Sequence, residues 1–507
     1  MKKSFTHQGL TLRPLAGLAL LLLVASLAAG CLPDPPSGVS GPGSTPAAVR
    51  AAPTTKITPL PTRPVYQPGE LVDYTAQTGD TLTALAARFN TSVQEIRAAN
   101  PIIPLTATTM PPGMPMKIPI YYRPLWGSAF QIIPDSLFIN GPAQVGFNTS
   151  AFVDAQPGWL KNYSEYVGDQ NRRGGEIIDY VSTNYSVSPR LLLAIAEYQT
   201  GALSDPNPPD ASDTYMLGKI DFRKEGFYRQ IAWAADTLNY AYYFWRSGKL
   251  LSFEHLDSRL ERPDPWQNAA TTALQYYFSR VIDGDEFDRA ISGEGLTKTY
   301  TKLFGDPWVN VKPHIPGSLE QPPLRLPFEP NLWWAFTGGP HNAWGDQPST
   351  LAAVDFAPPS LVGGCKPSEQ WAAAMADGVV ARTGTGIVVL DLDGDGDERT
   401  GWVIFYLHLE TGTTPPVGTH LKAGERIGKP SCEGGEATGT HVHIARKYNG
   451  EWMLAEGALA LNLEGWVARN GAAPYQGTLF RNGHTISACV CSDQASQLDS
   501  TAAPLKP

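Results

Sequence analysis

Thr440-His441-Val442-His443-Ile444-Ala445 is the stretch on which the fold turns. Its β-branched residues predict a strand, and on a strand side chains two apart share a face. His441 and His443 therefore point to one cleft while Val442 and Ile444 point to a core. Two imidazoles on one face are costly to bury without a ligand, a proton or a partner. Outward from this point, from about Asn331, the sequence keeps the texture of short strands and glycine-bounded turns. Gly378-Val379-Val380-Ala381, Gly386-Ile387-Val388-Val389-Leu390 and Trp402-Val403-Ile404-Phe405-Tyr406 predict an antiparallel β unit. Tyr406-Leu407-His408-Leu409 closes the last of these, with His408 on the face opposite Leu407 and Leu409. Gly339-Pro340-His341 and Ala353-Val354-Asp355-Phe356-Ala357-Pro358 lie upstream.

This set resembles the M23 (lysostaphin- and LytM-type) zinc endopeptidases, whose pattern is a His and an Asp ahead of the sheet, a Y-x-H-L strand and an H-x-H strand. The resemblance spans roughly residues 330 to 460 and includes the phrases DGVVA and VGTHLKAGERIG. It implies zinc ligation by His341, Asp355 and His443, with one tetrahedral position open for water, as in a catalytic site. It implies that His408 and His441 orient or deprotonate that water and stabilise the oxyanion. One spacing departs from the family, where three residues separate the first His from the Asp. Here thirteen lie between His341 and Asp355, so either a loop is inserted or Asp346 is the ligand; AVDFAPP favours Asp355.

Nearer the start, Asp73–Gln77 predicts a short strand, and Thr78-Gly79-Asp80-Thr81 a turn with Asp80 as helix N-cap. Leu82, Leu85, Ala86 and Phe89, then Val93, Ile96 and Ala99, mark two helices, and Pro112–Pro119 returns as a second strand. This βααβ unit resembles a LysM domain, which implies binding of N-acetylglucosamine-containing glycans between two loops. Those loops carry Thr78, Gly79, Asp80 and Thr81 on one side and Ile102 and Leu105 on the other.

Residues 125 to 325 read as mostly helical, with a strong helix from Ser188-Pro189 to Gln199 and others over Tyr228–Trp245 and Asn268–Val281. VSPRLLLAIAEYQTGAL resembles the catalytic helix of lytic transglycosylases, but the general-acid position is Gln199, and an amide cannot donate and recover a proton near neutral pH. Glu197 lies about 200° away around the helix. The expectation is a degenerate lysozyme-like scaffold, with an unrelated helical spacer and an active glycosidase as the competing readings.

The remaining features set the compartment. Lys2, Lys3 and Arg13 precede an apolar run from Leu15 to Ala29, too short for the ~20 residues of a membrane-spanning helix. Leu27-Ala28-Ala29-Gly30-Cys31 resembles a bacterial lipobox, which implies acylation at Cys31 and an exported, lipid-anchored chain. Cys365, Cys432, Cys489 and Cys491 then remain, an even number that suits an oxidising compartment. A bridge between Cys489 and Cys491 would be strained, and Cys365–Cys432 across two loops is the preferred pairing. A net charge of −9 without basic runs argues against nucleic acid. Asp391, Asp393, Asp395 and Asp397 resemble the start of a calcium loop, but Trp402 occupies the closing glutamate position. A solvated acidic turn is favoured there, with Ca²⁺ as the alternative.

The expected division is a lipoprotein signal peptide (1–31), a Pro/Ser/Thr-rich linker (32–70), a LysM domain (71–121), the helical domain (122–325), an antiparallel β peptidase domain (326–480) and a tail (481–507). The function expected of such a chain is a zinc metalloendopeptidase acting on peptidoglycan. The alternative is a non-catalytic wall-binding or amidase-activating lipoprotein.

Overall fold

Strand alternation decides where the C-terminal half of the chain keeps its chemistry. The computed structural model describes residues 60–209, 214–346, 350–360, 363–491 and 493–501. The lipidation reading at Cys31 lies outside these residues, and no helix among them is long and apolar enough to cross a membrane.

The first unit pairs β1 (Glu70–Thr75) with β2 (Pro115–Ile120) around helices α1 (Leu82–Arg88) and α2 (Val93–Ala99). Ser92 and Glu95 close a capping box on α2. The α1 cap is Thr81, whose hydroxyl accepts from the Ala84 N–H, and not Asp80 as the turn pattern suggested. Asp80 is drawn inward instead: its carboxylate accepts from Tyr74 Oη at 2.6 Å and from the Arg88 guanidinium at 2.8 Å. Residues 60–69, assigned by composition to a tether, are docked. Arg63 pairs with Asp264 at 2.8 Å and its guanidinium lies 4.1 Å from the centre of the Trp266 ring.

The middle region is built on a hairpin, β3 (Ser164–Val167) with β4 (Gln170–Arg173), and on helices α3 (Gly174–Tyr185), α4 (Pro189–Thr200), α5 (Phe227–Arg246), α6 (Ala269–Phe278) and α7 (Leu296–Phe304). Ser188 caps α4, Pro189 occupies its first turn, and Gly201 closes it in the left-handed conformation. Every residue from Leu191 to Ala196 is buried.

The C-terminal region is built on a nine-stranded antiparallel sheet. Its strands are β5 (Trp333–Asn342), β6 (Leu351–Ala357), β7 (Gly378–Gly384), β8 (Ile387–Asp391), β9 (Trp402–Leu407), β10 (His420–Leu421), β11 (Val442–Tyr448), β12 (Glu451–Trp452) and, after a small satellite sheet over residues 462–487, β16 (Gln497–Asp499). The satellite sheet contributes β13 (Trp466–Asn470), β14 (Gly477–Arg481) and β15 (His484–Ser487). The main order is β10-β7-β8-β9-β11-β6-β5-β16, with β12 folded back on β11. Residues 481–501 are therefore no tail, since β15 extends the satellite sheet and β16 covers the outer edge of β5. Cys365 bonds Cys432, as preferred. Cys489 also bonds Cys491, the pairing the sequence disfavours, with Cα atoms 5.0 Å apart.

Val354, Ile404, Tyr406, Val442 and Ile444 fill the core on one face of the sheet. Ala353, Val403, Phe405, Leu407 and Ala445, at the opposite parity, join the core of the helical region. The helical region is thus packed directly on the face toward which His443 projects.

A buried ionic cluster ties the three parts together. The Arg246 guanidinium at the end of α5 lies 3.1 Å from Glu451 on β12 and 3.2 Å from Asp135, and also donates to the Thr78 carbonyl in the β1–α1 turn. Glu451 further receives His314 at 2.6 Å and Tyr242 Oη at 2.8 Å. Burial alone would raise the Glu451 carboxyl, but Arg246 and His314 hold it down at about 2 against an ordinary 4.5. Its contribution to stability is complete above pH 4.5 and is lost as the pH falls toward 2. Removing one partner of such a pair leaves an uncompensated buried charge, so Arg246→Met is expected to cost ~3–5 kcal/mol in denaturant unfolding. The acid loss of stability should be shallower in Glu451→Gln than in the wild type; parallel acid profiles would refute this assignment.

Candidate metal centre

Three adjacent strands bring three distant residues together. Asp355 on β6 stands opposite His443 on β11, and Gly338 on β5 stands opposite Asp355 from the other side. Irregular pairing between Gly338 and His341 lets β5 turn His341 toward the same point. His341 Nε2 then lies 3.0 Å from His443 Nδ1 and 3.2 Å from Asp355 Oδ1, and His443 Nδ1 lies 3.3 Å from Asp355 Oδ1. All three residues are buried. Asp346, the alternative carboxylate, is elsewhere: it is exposed and pairs with Lys224 at 2.8 Å.

The outer nitrogens of the rings settle their tautomers. His341 Nδ1 meets the Gly339 carbonyl at 2.8 Å, and His443 Nε2 meets the Ala343 carbonyl at 3.2 Å. A carbonyl only accepts, so each of these nitrogens carries the proton and each facing nitrogen presents a lone pair. Two lone pairs 3.0 Å apart, beside a buried carboxylate oxygen that accepts no hydrogen bond, repel one another. A cation among them removes the repulsion. Tetrahedral coordination at ~2.0–2.1 Å spaces ligand atoms about 3.3 Å apart, which is the size of this triangle. The donor set therefore fits a small divalent metal. Burial would raise the Asp355 carboxyl, but the His341, His441 and His443 imidazoles packed around it hold it well below its usual value. Burial pushes the His443 imidazole down, toward the neutral form that ligates.

His441 and His408 complete the centre. His441 precedes β11, its Nδ1 held by the Gly439 carbonyl at 2.7 Å and its Nε2 3.8 Å from Asp355 Oδ1. His408 follows β9 in a left-handed conformation, its Nδ1 held by the Glu433 carbonyl at 2.9 Å and its ring 4.5 Å from that of His441. Burial, then His441 and His443, lower the His408 imidazole to about 3. The Cys365–Cys432 bridge joins the two loops that steady these rings, since Gly364 accepts from the Thr440 N–H and Ser431 pairs with His441. Tyr475 was not found from sequence. It stacks on His341 with ring centres 4.0 Å apart, half-exposed, its backbone tied to Gly339 and Pro340. It sits in an irregular loop before β14, and nothing in its neighbours signals the contact.

The other candidate residues are distributed differently. Thr78 exchanges hydrogen bonds with the Ile315 backbone, Asp80 is buried, and Gly79 packs on Arg246, while Ile102 and Leu105 are exposed. Asp391 spends its carboxylate on the N–H groups of Asp393, Gly394 and Gly396. Asp391, Asp393 and Asp395 present oxygens within 4.8 Å of one another, whereas Asp397 is drawn away to Arg399 at 2.6 Å. Gln199 is held between Tyr277 Oη and the Leu217 carbonyl, and Glu197 accepts from the Leu203 and Ser204 N–H groups.

Comparison with known proteins adds the family context. Residues 131–317 match the family model described as "LasA, N-terminal domain", and residues 74–119 match the LysM domain model. Protease LasA from two strains of Pseudomonas aeruginosa is 24% identical over 344 residues, covering 64% of this chain and 75% of the relative. Among solved structures, the deep-sea M23 metalloprotease pseudoalterin is 21% identical, with 33% of this chain and 96% of that one covered at a TM-score of 0.27. The catalytic domain of lysostaphin from Staphylococcus simulans is also 21% identical, with 25% and 90% covered at a TM-score of 0.17. On the sequence matches, the chain carries a LysM domain and is related to LasA-type proteases.

A Cβ at Gly338 would collide with the Asp355 carboxylate. Gly338→Ala is therefore expected to weaken binding of a small divalent metal ~10–100-fold, measured by competition with a chromogenic chelator. Unchanged affinity would show that Asp355 is not a ligand.

Proposed function

We propose that this chain is an exported zinc metalloendopeptidase that hydrolyses peptide bonds of peptidoglycan, held at the envelope through a lipid on Cys31 and at the wall by its LysM domain. The observation that carries the proposal is the facing lone pairs of His341 and His443 beside the unpartnered oxygen of Asp355. Relatedness to Protease LasA and the LysM match support the substrate class.

In this reading His341, Asp355 and His443 hold the metal. When bound, zinc supplies Lewis acidity toward a peptide carbonyl and lowers the pKa of a water to about 7. His441 is the proton acceptor, because the Gly439 carbonyl fixes its proton on Nδ1 and leaves Nε2 facing the centre. The neutral His408, similarly fixed by Glu433, presents its Nε2 beside the same point and shares in orienting the nucleophile. Tyr475 stacks on His341 and holds that ring in plane.

Substrate needs a path to these groups. A cleft of about 700 Å³ runs between the β3–β4 hairpin and α3 on one side and the β7–β8 turn with Gly434 and Gly435 on the other. Gly435 lies next to His408, so the cleft reaches the edge of the histidine group. Gly434, with φ of +84°, packs against the Thr385 carbonyl and Leu407, where a Cβ would collide.

The test is digestion of purified sacculi. Wild-type protein should release fragments with new amine termini and no new reducing sugars, identified by mass spectrometry. His443→Ala should lose both zinc and cleavage. His441→Ala should keep zinc while kcat falls ~10²–10⁴-fold. Cleavage that persists in His443→Ala, or new reducing ends in the wild type, would overturn the assignment.

A further inference from the structure

The cleft beside the histidines has one acidic wall. Glu176, Asp179, Tyr180, Thr183 and Asn184 line it at three- and four-residue spacing, so the wall is one face of α3. The β3–β4 turn is seated on that face: a Cβ at Gly168 would stand 3.0 Å from Tyr180 Cζ. Asp169 thereby joins Glu176 and Asp179 along the cleft. Among the described residues, none of these three carboxylates enters an ion pair. The two guanidinium groups of the lining are engaged elsewhere. Arg382, on the opposite wall, bonds Glu398. Arg172 lies 4.5 Å from the centre of the Tyr180 ring and donates from Nε to the Val167 carbonyl. Glu176 accepts from the Arg173 N–H at 2.7 Å in the first turn of α3, which leaves Asp169 and Asp179 for a ligand. Burial raises the Asp179 carboxyl above its usual value, and the Glu176 charge one turn before it adds to this against Arg399. An arriving cation relieves both effects.

A second observation comes from Asn184. It is 5% exposed, lines the same wall one turn beyond Tyr180, and its amide oxygen has no hydrogen-bond partner. A buried acceptor without a donor is costly, and a ligand N–H removes the cost. The wall therefore asks for a positive charge at one place and an amide N–H at another. A peptide with a free amino group carries both.

We propose that the α3 wall selects peptides bearing a free primary amine, with the ammonium held at Asp169 and Asp179 and a backbone N–H of the same peptide donated to the Asn184 amide oxygen. This selection rests on the reading that the cleft admits the substrate of a metalloendopeptidase, and adds which peptides it takes.

The test uses sacculi whose peptides carry free amines, in three forms: untreated, acetylated with acetic anhydride, which removes the charge, and reductively methylated, which keeps it. The wild type is expected to release peptide from untreated and methylated sacculi at rates within threefold of each other, and from acetylated sacculi ~10–100-fold more slowly. The double variant Asp169→Asn, Asp179→Asn should lose that preference. Asn suits the left-handed backbone of Asp169, at φ +67°, and keeps the shape of Asp179, so the fold is retained; thermal melts check this. Asn184→Leu should raise the apparent KM for untreated sacculi ~3–10-fold at constant kcat, without lowering the melting temperature. Equal cleavage of untreated and acetylated sacculi by the wild type, or a preference that survives in the double variant, would overturn the amine selection and leave the peptidase reading standing. An unchanged KM in Asn184→Leu would overturn the role of the amide. No cleavage of any form by the wild type would overturn both readings.

Discussion

A cation buried in protein must be compensated, and Arg246 meets that requirement by drawing on three parts of the chain at once. Glu451 comes from the β region, Asp135 from the entry to the helical region, and the Thr78 carbonyl from the LysM turn. Coulomb attraction at low dielectric repays the desolvation of these groups only while all of them are in place. The arrangement therefore fixes geometry more than it adds free energy. It explains why the LysM domain is docked on the other regions and why its turn is partly consumed by internal contacts.

The second constraint is strand parity. The two-residue period that aims His443 and Asp355 at one point also aims Phe405, Ala445 and Ala353 to the same side. The helical region covers that side, and its α3 forms a wall of the cleft beside His408. The chemistry and the packing of the helical region are thus two readings of one sheet face.

Much of this was legible in the residues. The H-x-H alternation placed Val442 and Ile444 in the core, and the Ser188-Pro189 and Gly201 signals bounded their helix. These are local rules, each settled within a few residues. What was not legible depended on distant partners. Asp80 looks like a cap until Tyr74 and Arg88 compete for its carboxylate. Residues 60–69 look like tether until Asp264 and Trp266 receive Arg63. Tyr475 is one aromatic in a loop until β5 turns His341 beneath it. The Cys489–Cys491 bond joins cysteines separated by one residue, a pairing that sequence spacing disfavours and that depends on the path of the backbone through this loop.

The strand β16 has a consequence for the margin of the sheet. It pairs with the first residues of β5, the strand that carries His341. Without Gln497–Asp499, the Trp333–Ala335 end of that edge has open backbone groups. A chain from which Gln497–Asp499 is missing therefore bares backbone donors and acceptors on the strand that carries His341, a seam open to pairing with another molecule.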